Sequence, residues 1–194
     1  SVLYTKQGTI NAVNAGARVK KLLQLVSGAV YDEQGDAKYI HQQRYDMIMD
    51  LLEVRKHSLV AFNWRHERNA LTALADKRGY TYEIIDGETN PQKRVDIVQR
   101  FQAGQIKVLF AHPQSASHGL TLTKATTCIW CSPTYNAEHF QQFNRRIHRS
   151  GQTSKTETIL IAARNTWEET VYEKLNGKLG KMENLLHILN KLNN

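Results

Sequence analysis

The segment Gln142-Phe143-Asn144-Arg145-Arg146-Ile147-His148-Arg149-Ser150-Gly151-Gln152 gathers amide and guanidinium groups into one short stretch. Asn136 reads as a helix cap, and the pattern after it predicts a helix to about residue 148. On such a helix Gln142, Arg146 and Arg149 stand at i, i+4 and i+7 and share a face. Phe140, Phe143 and Ile147 form a second, apolar stripe that would anchor it. Two fixed guanidiniums suit a triphosphate. Each can donate forked hydrogen bonds to phosphate oxygens and offset charge that develops during phosphoryl transfer. Such stabilisation by an arginine finger is worth ~10³–10⁵ in rate in the GTPase cases. A surface helix rich in arginine is the plainer alternative.

The elements that must position this face are legible on both sides of it. Residues 58–63 (SLVAFN) form a short apolar run, the pattern of a buried strand. A helix over 65–78 places Ala70, Leu71, Leu74 and Ala75 on one face and stops at Gly79. A strand at 82–85 ends in the turn Asp86-Gly87. Asn90 and Pro91 start a helix, Asn as cap and Pro in the first turn, with Ile97, Val98 and Phe101 at core spacing. Strands follow at 107–111, 127–132 and 156–162, with a small irregular connector at 115–119. Thr166-Trp167-Glu168-Glu169 matches a capping box. It opens a long helix with Val171, Leu175, Leu179 and Met182 on one stripe, interrupted by Gly177 and Gly180. Strands alternating with helices argue an α/β fold, a parallel sheet with helices on both faces. Ligands in such sheets gather at the carboxyl ends of the strands, here after Asn63, Ile85, Ala111 and Ser132. The opening block reads differently: a short helix at 17–25, a polar turn at 31–35, and a helix over 41–52 with Tyr45, Ile48 and Leu52 inward.

The 26 Lys and Arg against 18 Asp and Glu leave a net charge of +8, which suits an anionic partner such as nucleic acid or simply a basic solvated surface. No apolar run reaches the ~20 residues of a membrane span, and the start of the chain lacks the basic-then-apolar pattern of a signal peptide. Cys128 and Cys131 have CxxC spacing. They sit in a predicted strand, where positions three apart face opposite ways, and no second pair completes a zinc site. Core cysteines and a reducing intracellular setting, cytoplasm or nucleoid, are expected.

The Gln-x-x-x-Arg-x-His-Arg-x-Gly-Gln spacing resembles motif VI of the Swi/Snf-type ATPases in helicase superfamily two. Other segments agree in order. Residues 57–64 (HSLVAFNW) look like motif IV. Ile85-Asp86-Gly87-Glu88-Thr89, followed by Arg94, Ile97 and Phe101, is similar to the family's "DG-x-T, then R, then I-x-x-F" block. Residues 107–123 (KVLFAHPQSASHGLTLT) look like motif V, and Thr166 to Glu169 with the following helix resemble the bracing segment. The resemblance covers about residues 56 to 182. Motif V departs from the family: Ala116-Ser117 stand where paired glycines are usual, and Thr121 replaces Asn. Arg145 takes a position that is often Asp.

The resemblance implies a single RecA-like motor lobe. Residues 1–55 would be a linker or adjunct packing on it, residues 56–165 the lobe, and residues 166–194 a bracing helix. Arg146 and Arg149 would be the arginine fingers. Gln142 would help sense the terminal phosphate, and Gly119 would link nucleotide state to DNA contact. Asn63, Trp64, Arg65, Ser115 and Thr121 would lie along the tracked strand, although Trp64 could equally be a packed aromatic. Arg94 would pair with a carboxylate or touch the strand. No residue is expected to bind metal. A G-x-x-x-x-G-K-[ST] phosphate loop is missing from the sequence, so ATP and Mg²⁺ would be held mainly by an N-terminal RecA-like lobe of the same parent chain. The expected role is half of an ATP-driven translocase on double-stranded DNA, inactive alone and without membrane association; its compactness and short loops are compatible with a bacterial or bacteriophage origin. The alternatives are a non-catalytic DNA-binding module and an interaction domain whose degenerate motifs preserve only the fold.

Overall fold

The computed structural model describes residues 42–116 and 119–177, together with Gln34 and the backbone of four short strands before them. Those strands form two antiparallel pairs, β1 (Val2–Thr5) with β2 (Gly8–Asn11) and β3 (Ala29–Tyr31) with β4 (Ala37–Tyr39). The β3–β4 pair brackets the expected polar turn. The helix expected at 17–25, and Leu179 and Met182, lie outside the described residues. The main body begins with α1 (Gln43–Glu53). It continues through β5 (Ser58–Ala61), α2 (Arg65–Lys77), β6 (Tyr82–Ile85), α3 (Pro91–Gln102) and β7 (Val108–Ala111). It closes with β8 (Thr127–Trp130), α4 (Ala137–Asn144), β9 (Glu157–Leu160) and α5 (Trp167–Gly177).

The five strands β5 to β9 form one wholly parallel sheet in the order β6-β7-β5-β8-β9. β5, β7 and β8 are buried at every position while both edge strands are partly exposed, which is why the central three read as unbroken apolar runs. Alternation along the strands divides the core. Leu59, Ala61, Leu109, Cys128 and Trp130 face one side with α3, α4 and α5. Val60, Phe62, Val108, Phe110, Ile129 and Cys131 face the other with α1 and α2. The two cysteines are free, buried and on opposite faces. Helices cover both sides, so the α/β reading stands.

The helix starts follow local chemistry. The Asn90 side chain accepts the Lys93 N–H at 2.8 Å with Pro91 in the first turn, and Asn136 accepts the His139 N–H at 3.0 Å. At α2 the work falls to Glu67, whose Oε1 accepts the N–H groups of Asn63 at 2.8 Å and Trp64 at 3.1 Å. Because all five strands run one way, the loops after Ala61, Ile85, Ala111 and Trp130 emerge at one end of the sheet. β5 sends its chain to β6 and β7 on one side and stands against β8 on the other. The crevice between β5 and β8 is therefore the point where strand order reverses.

Candidate nucleotide and nucleic-acid interface

α4 is fixed to the sheet by aromatic packing and one polar bond. The Trp130 ring lies 4.8 Å from Phe140 and 5.0 Å from Phe143, contacts worth about 0.5–1.5 kcal/mol each beyond burial. Trp130 Nε1 donates to Asn144 Oδ1 at 2.7 Å. There the helix stops, four residues earlier than the sequence pattern predicts. Arg145 is the C-cap, and the Arg146 N–H donates to Phe143 O, a tightened last turn. The segment beyond is held instead by the loop before β8, where Arg146 O receives the Leu122 N–H at 3.0 Å. The shared helical face of Gln142, Arg146 and Arg149 is thus corrected. Gln142 is helical and donates to Glu138 Oε1 at 2.9 Å, whereas both arginines lie on the turns beyond.

Those turns deliver the arginines to the 119–122 loop. Arg149 Nη1 donates to Gly119 O at 2.9 Å and approaches Thr121 Oγ1 at 3.4 Å. Arg146 Nη1 reaches Leu120 O at 3.5 Å. Gly119 has φ +70°, a backbone state that glycine adopts without strain. Gln152 ties the two segments together, its Nε2 donating to Thr123 O at 3.0 Å, Ala125 O at 3.1 Å and Ile147 O at 2.9 Å. Burial, then the charges of Arg149 and Arg145, lower the Arg146 pKa. Like charges held this close favour any anion that enters among them. Among the described residues Arg149 has no carboxylate partner, so its charge is not spent internally.

A second polar group sits in the β5–β8 crevice. Asn63 Nδ2 donates to Ser132 O at 2.8 Å and approaches Ser132 Oγ at 3.1 Å. Ser132 Oγ in turn donates to the buried Glu67 Oε1 at 3.0 Å. Arg65 is exposed at the start of α2, and Ser115 is half-buried after β7. Trp64, expected near a DNA strand, is instead 8% exposed and packs its ring in the core beside Trp130's cluster. Arg94 makes no ion pair among the described residues, and its Nε is buried without a partner there, so the carboxylate pairing is corrected. The neighbouring turn is held by Arg68 instead, whose Nη1 donates to Asp86 Oδ2 at 2.7 Å. Burial pushes the Asp86 carboxyl up, but Arg68 and the Glu88 N–H outweigh it and hold it below its usual range.

Beneath the crevice lies an ion pair between elements far apart in sequence. Arg44 Nη1 donates to Cys131 O at 2.6 Å and to Glu168 Oε2 at 2.8 Å, and Arg44 Nη2 donates to Glu168 Oε1. Both side chains are almost wholly buried, at 4% and 0% exposure. Sequence reasoning missed Arg44, Glu67 and Ser132. Arg44 shares the i, i+4, i+8 stripe of Ile48 and Leu52, so a charge inside an apolar stripe was the available signal. Glu67 stands at the third helical position of α2, where a carboxylate commonly satisfies the N-terminal amides.

Among the described residues no group of three or more His, Cys, Asp and Glu could hold a metal ion, and no helix is long and apolar enough to cross a membrane. Comparison with known proteins supplies the family. The helicase conserved C-terminal domain matches residues 43–151. Protein p41 of Acyrthosiphon pisum secondary endosymbiont phage 1 is 29% identical over 194 residues, 95% of this chain and 40% of that protein. The chromodomain-helicase-DNA-binding protein 1-like of Mus musculus is 30% identical over 135 residues, 69% of this chain and 15% of that protein. This chain therefore spans less than half the length of either relative. The crystal structure of the C-terminal part of the Fun30 ATPase domain matches the fold with a TM-score of 0.65 at 20% identity, covering 71% of this chain and 46% of that one. The chain belongs to the helicase conserved C-terminal domain family and is related to the Swi/Snf-type chromatin remodellers.

Proposed function

We propose that the chain is the C-terminal half of an ATP-driven motor on double-stranded DNA, with Arg146 and Arg149 as its arginine fingers. The observation that carries this reading is the Arg149 guanidinium on Gly119 O and Thr121 Oγ1, beside a second guanidinium whose pKa is lowered by burial and then by the charges of Arg149 and Arg145. One pair of turns thereby offers positive charge to a phosphate and grips the loop that joins the carboxyl end of β7 to the amino end of β8. ATP and Mg²⁺ would be held mainly by an N-terminal RecA-like lobe. When bound, the nucleotide supplies the phosphoryl group; Arg146 and Arg149 neutralise its oxygens. A move of Arg149 from Gly119 O to a phosphate would release the 119–121 loop, and Gln142 and Gly119 would report the nucleotide's state. Asn63, Arg65, Ser115 and Thr121 would meet the DNA backbone, while Trp64 supports that surface from behind. An intracellular setting follows from this partner.

The test joins this chain to its N-terminal lobe and measures DNA-stimulated ATPase. Arg149→Ala and Arg146→Ala are each expected to lose about 10³-fold or more in rate while retaining DNA affinity. A near-normal rate in either rejects its finger role. The net charge of +8 favours a second reading, a DNA-binding module without hydrolysis. In that case the two variants weaken salt-dependent DNA binding and leave hydrolysis by the joined lobes intact.

A further inference from the structure

A cavity of about 540 Å³ opens at the opposite end of the sheet, among the amino ends of β5, β8 and β9. None of the motif residues that face the β5–β8 crevice lines it. Its wall combines the segment after α1, the end of α3, the lead-in to β8 and the segment after Gly151. The charge on this wall is one-sided. Arg55, Lys56 and Lys124 stand against Glu157 alone. That carboxylate is already engaged: its Oε1 accepts from Arg55 Nε at 2.7 Å and from Thr127 Oγ1 at 2.9 Å. Among the described residues neither Lys56 nor Lys124 has an ion-pair partner.

The wall is also pre-organised. Gln102 grips the Lys124 segment twice, Nε2 donating to Thr123 Oγ1 at 3.0 Å and Oε1 accepting the Lys124 N–H at 2.9 Å. The Lys124 stem crosses Gly104, where a Cβ would stand 3.1 Å from Lys124 Cε and 3.7 Å from His57 Cε1. His57 is oriented by its Nδ1–H, which donates to Ile106 O at 3.0 Å and leaves Nε2 for other contacts. Thr126, Thr153 and Ser154 complete the lining. Two ammonium groups without carboxylates, beside hydroxyl-bearing residues, are the complement of a tetrahedral oxyanion. The volume falls within the ~300–1,000 Å³ typical of small-molecule sites.

We infer that this cavity binds the phosphate group of a small ligand, at a site that Arg146 and Arg149 do not line. Gln152 lines it and also pins Thr123, Ala125 and Ile147, so an occupant abuts the scaffold that carries Arg149. The inference is tested on this chain by ¹H–¹⁵N spectra during titration with pyrophosphate and, in a parallel arm, with adenosine monophosphate. Saturable shifts are expected at the amides of Lys124, Thr126 and Ser154. Lys56→Ala and Lys124→Ala should each weaken binding about tenfold, the loss of one charge-assisted hydrogen bond. Lys77→Ala, at the last residue of α2 and outside the lining, should leave it unchanged. Tighter binding of the nucleotide than of pyrophosphate assigns the site to nucleotides, and the reverse assigns it to inorganic phosphates. The inference is overturned by the absence of saturable shifts at those amides, or by affinities within about twofold of the parent in both lysine variants. Neither result bears on Arg146 or Arg149.

Discussion

Replacing Glu168 with Ala should unfold this domain at markedly lower denaturant concentration. Glu168 is fully buried, and both its oxygens are used. Oε2 accepts from Arg44 at 2.8 Å, and Oε1 accepts from Arg44 Nη2 and from the Ala163 N–H at 2.9 Å. Burial by itself lowers the Arg44 pKa, but Glu168 outweighs it and the guanidinium is held charged. Removing the carboxylate strands that charge at a cost of about 3–5 kcal/mol. The abandoned Ala163 N–H adds about 1 kcal/mol. At about 2–4 °C per kcal/mol for a chain of this size, Tm should fall by roughly 8–24 °C. Urea unfolding followed by tryptophan fluorescence measures the change, since Trp130 and Trp167 lie close to the pair. The double variant Arg44→Met with Glu168→Leu should recover most of the loss, because an ion pair desolvated this fully contributes little net stability. A single variant within about 1 kcal/mol of the parent, or a double variant as unstable as the single, would refute the assignment of an uncompensated charge.

Three further outcomes are expected. His66 is fully buried, and burial followed by the Arg44 charge pushes its pKa from 6.5 to about 3. The folded state therefore favours the neutral ring. Its stabilisation is complete above pH 6.5 and is lost as pH falls toward 3, at up to about 1.4 kcal/mol per pH unit, and His66→Phe should flatten that part of the stability–pH curve. Gln152→Ala leaves three carbonyls without their shared donor, so it should cost about 1–3 kcal/mol and accelerate hydrogen exchange at the Leu122 and Ala125 amides; unchanged exchange would show that Gln152 does not hold the loop. Burial raises the pKa of both Cys128 and Cys131, so a thiol reagent should label them at the rate of unfolding, and fast labelling of the folded chain would contradict their packing.

The sheet and most helix starts were legible because local chemistry and tertiary packing agree there. Asn90-Pro91 and Asn136 cap the helices they announce, and the apolar runs of β5, β7 and β8 are buried on both faces. Arg146 and Arg149 were identified by spacing, but their geometry was not. No residue type between Asn144 and Arg149 marks a helix stop, and the long-range bond from Leu122 N–H to Arg146 O that holds this segment is invisible to spacing. For Trp64 the sequence leaves a strand contact and a packed aromatic equally open, and only the three-dimensional path of α2 turns its ring inward. Arg44 remained hidden because its partner, Glu168, is 124 residues away.

That separation has a consequence for the order in which the molecule is made. Synthesis runs from the amino end, so α1 and all five parallel strands leave the ribosome before Glu168 does. Until then the Arg44 guanidinium has a carbonyl at the end of β8 to dock on but lacks the counter-charge that makes its burial affordable. Emergence of a single carboxylate at the start of α5 thus acts as the latch on the nascent domain, and stalled or nicked chains ending before it should be preferred prey for proteases.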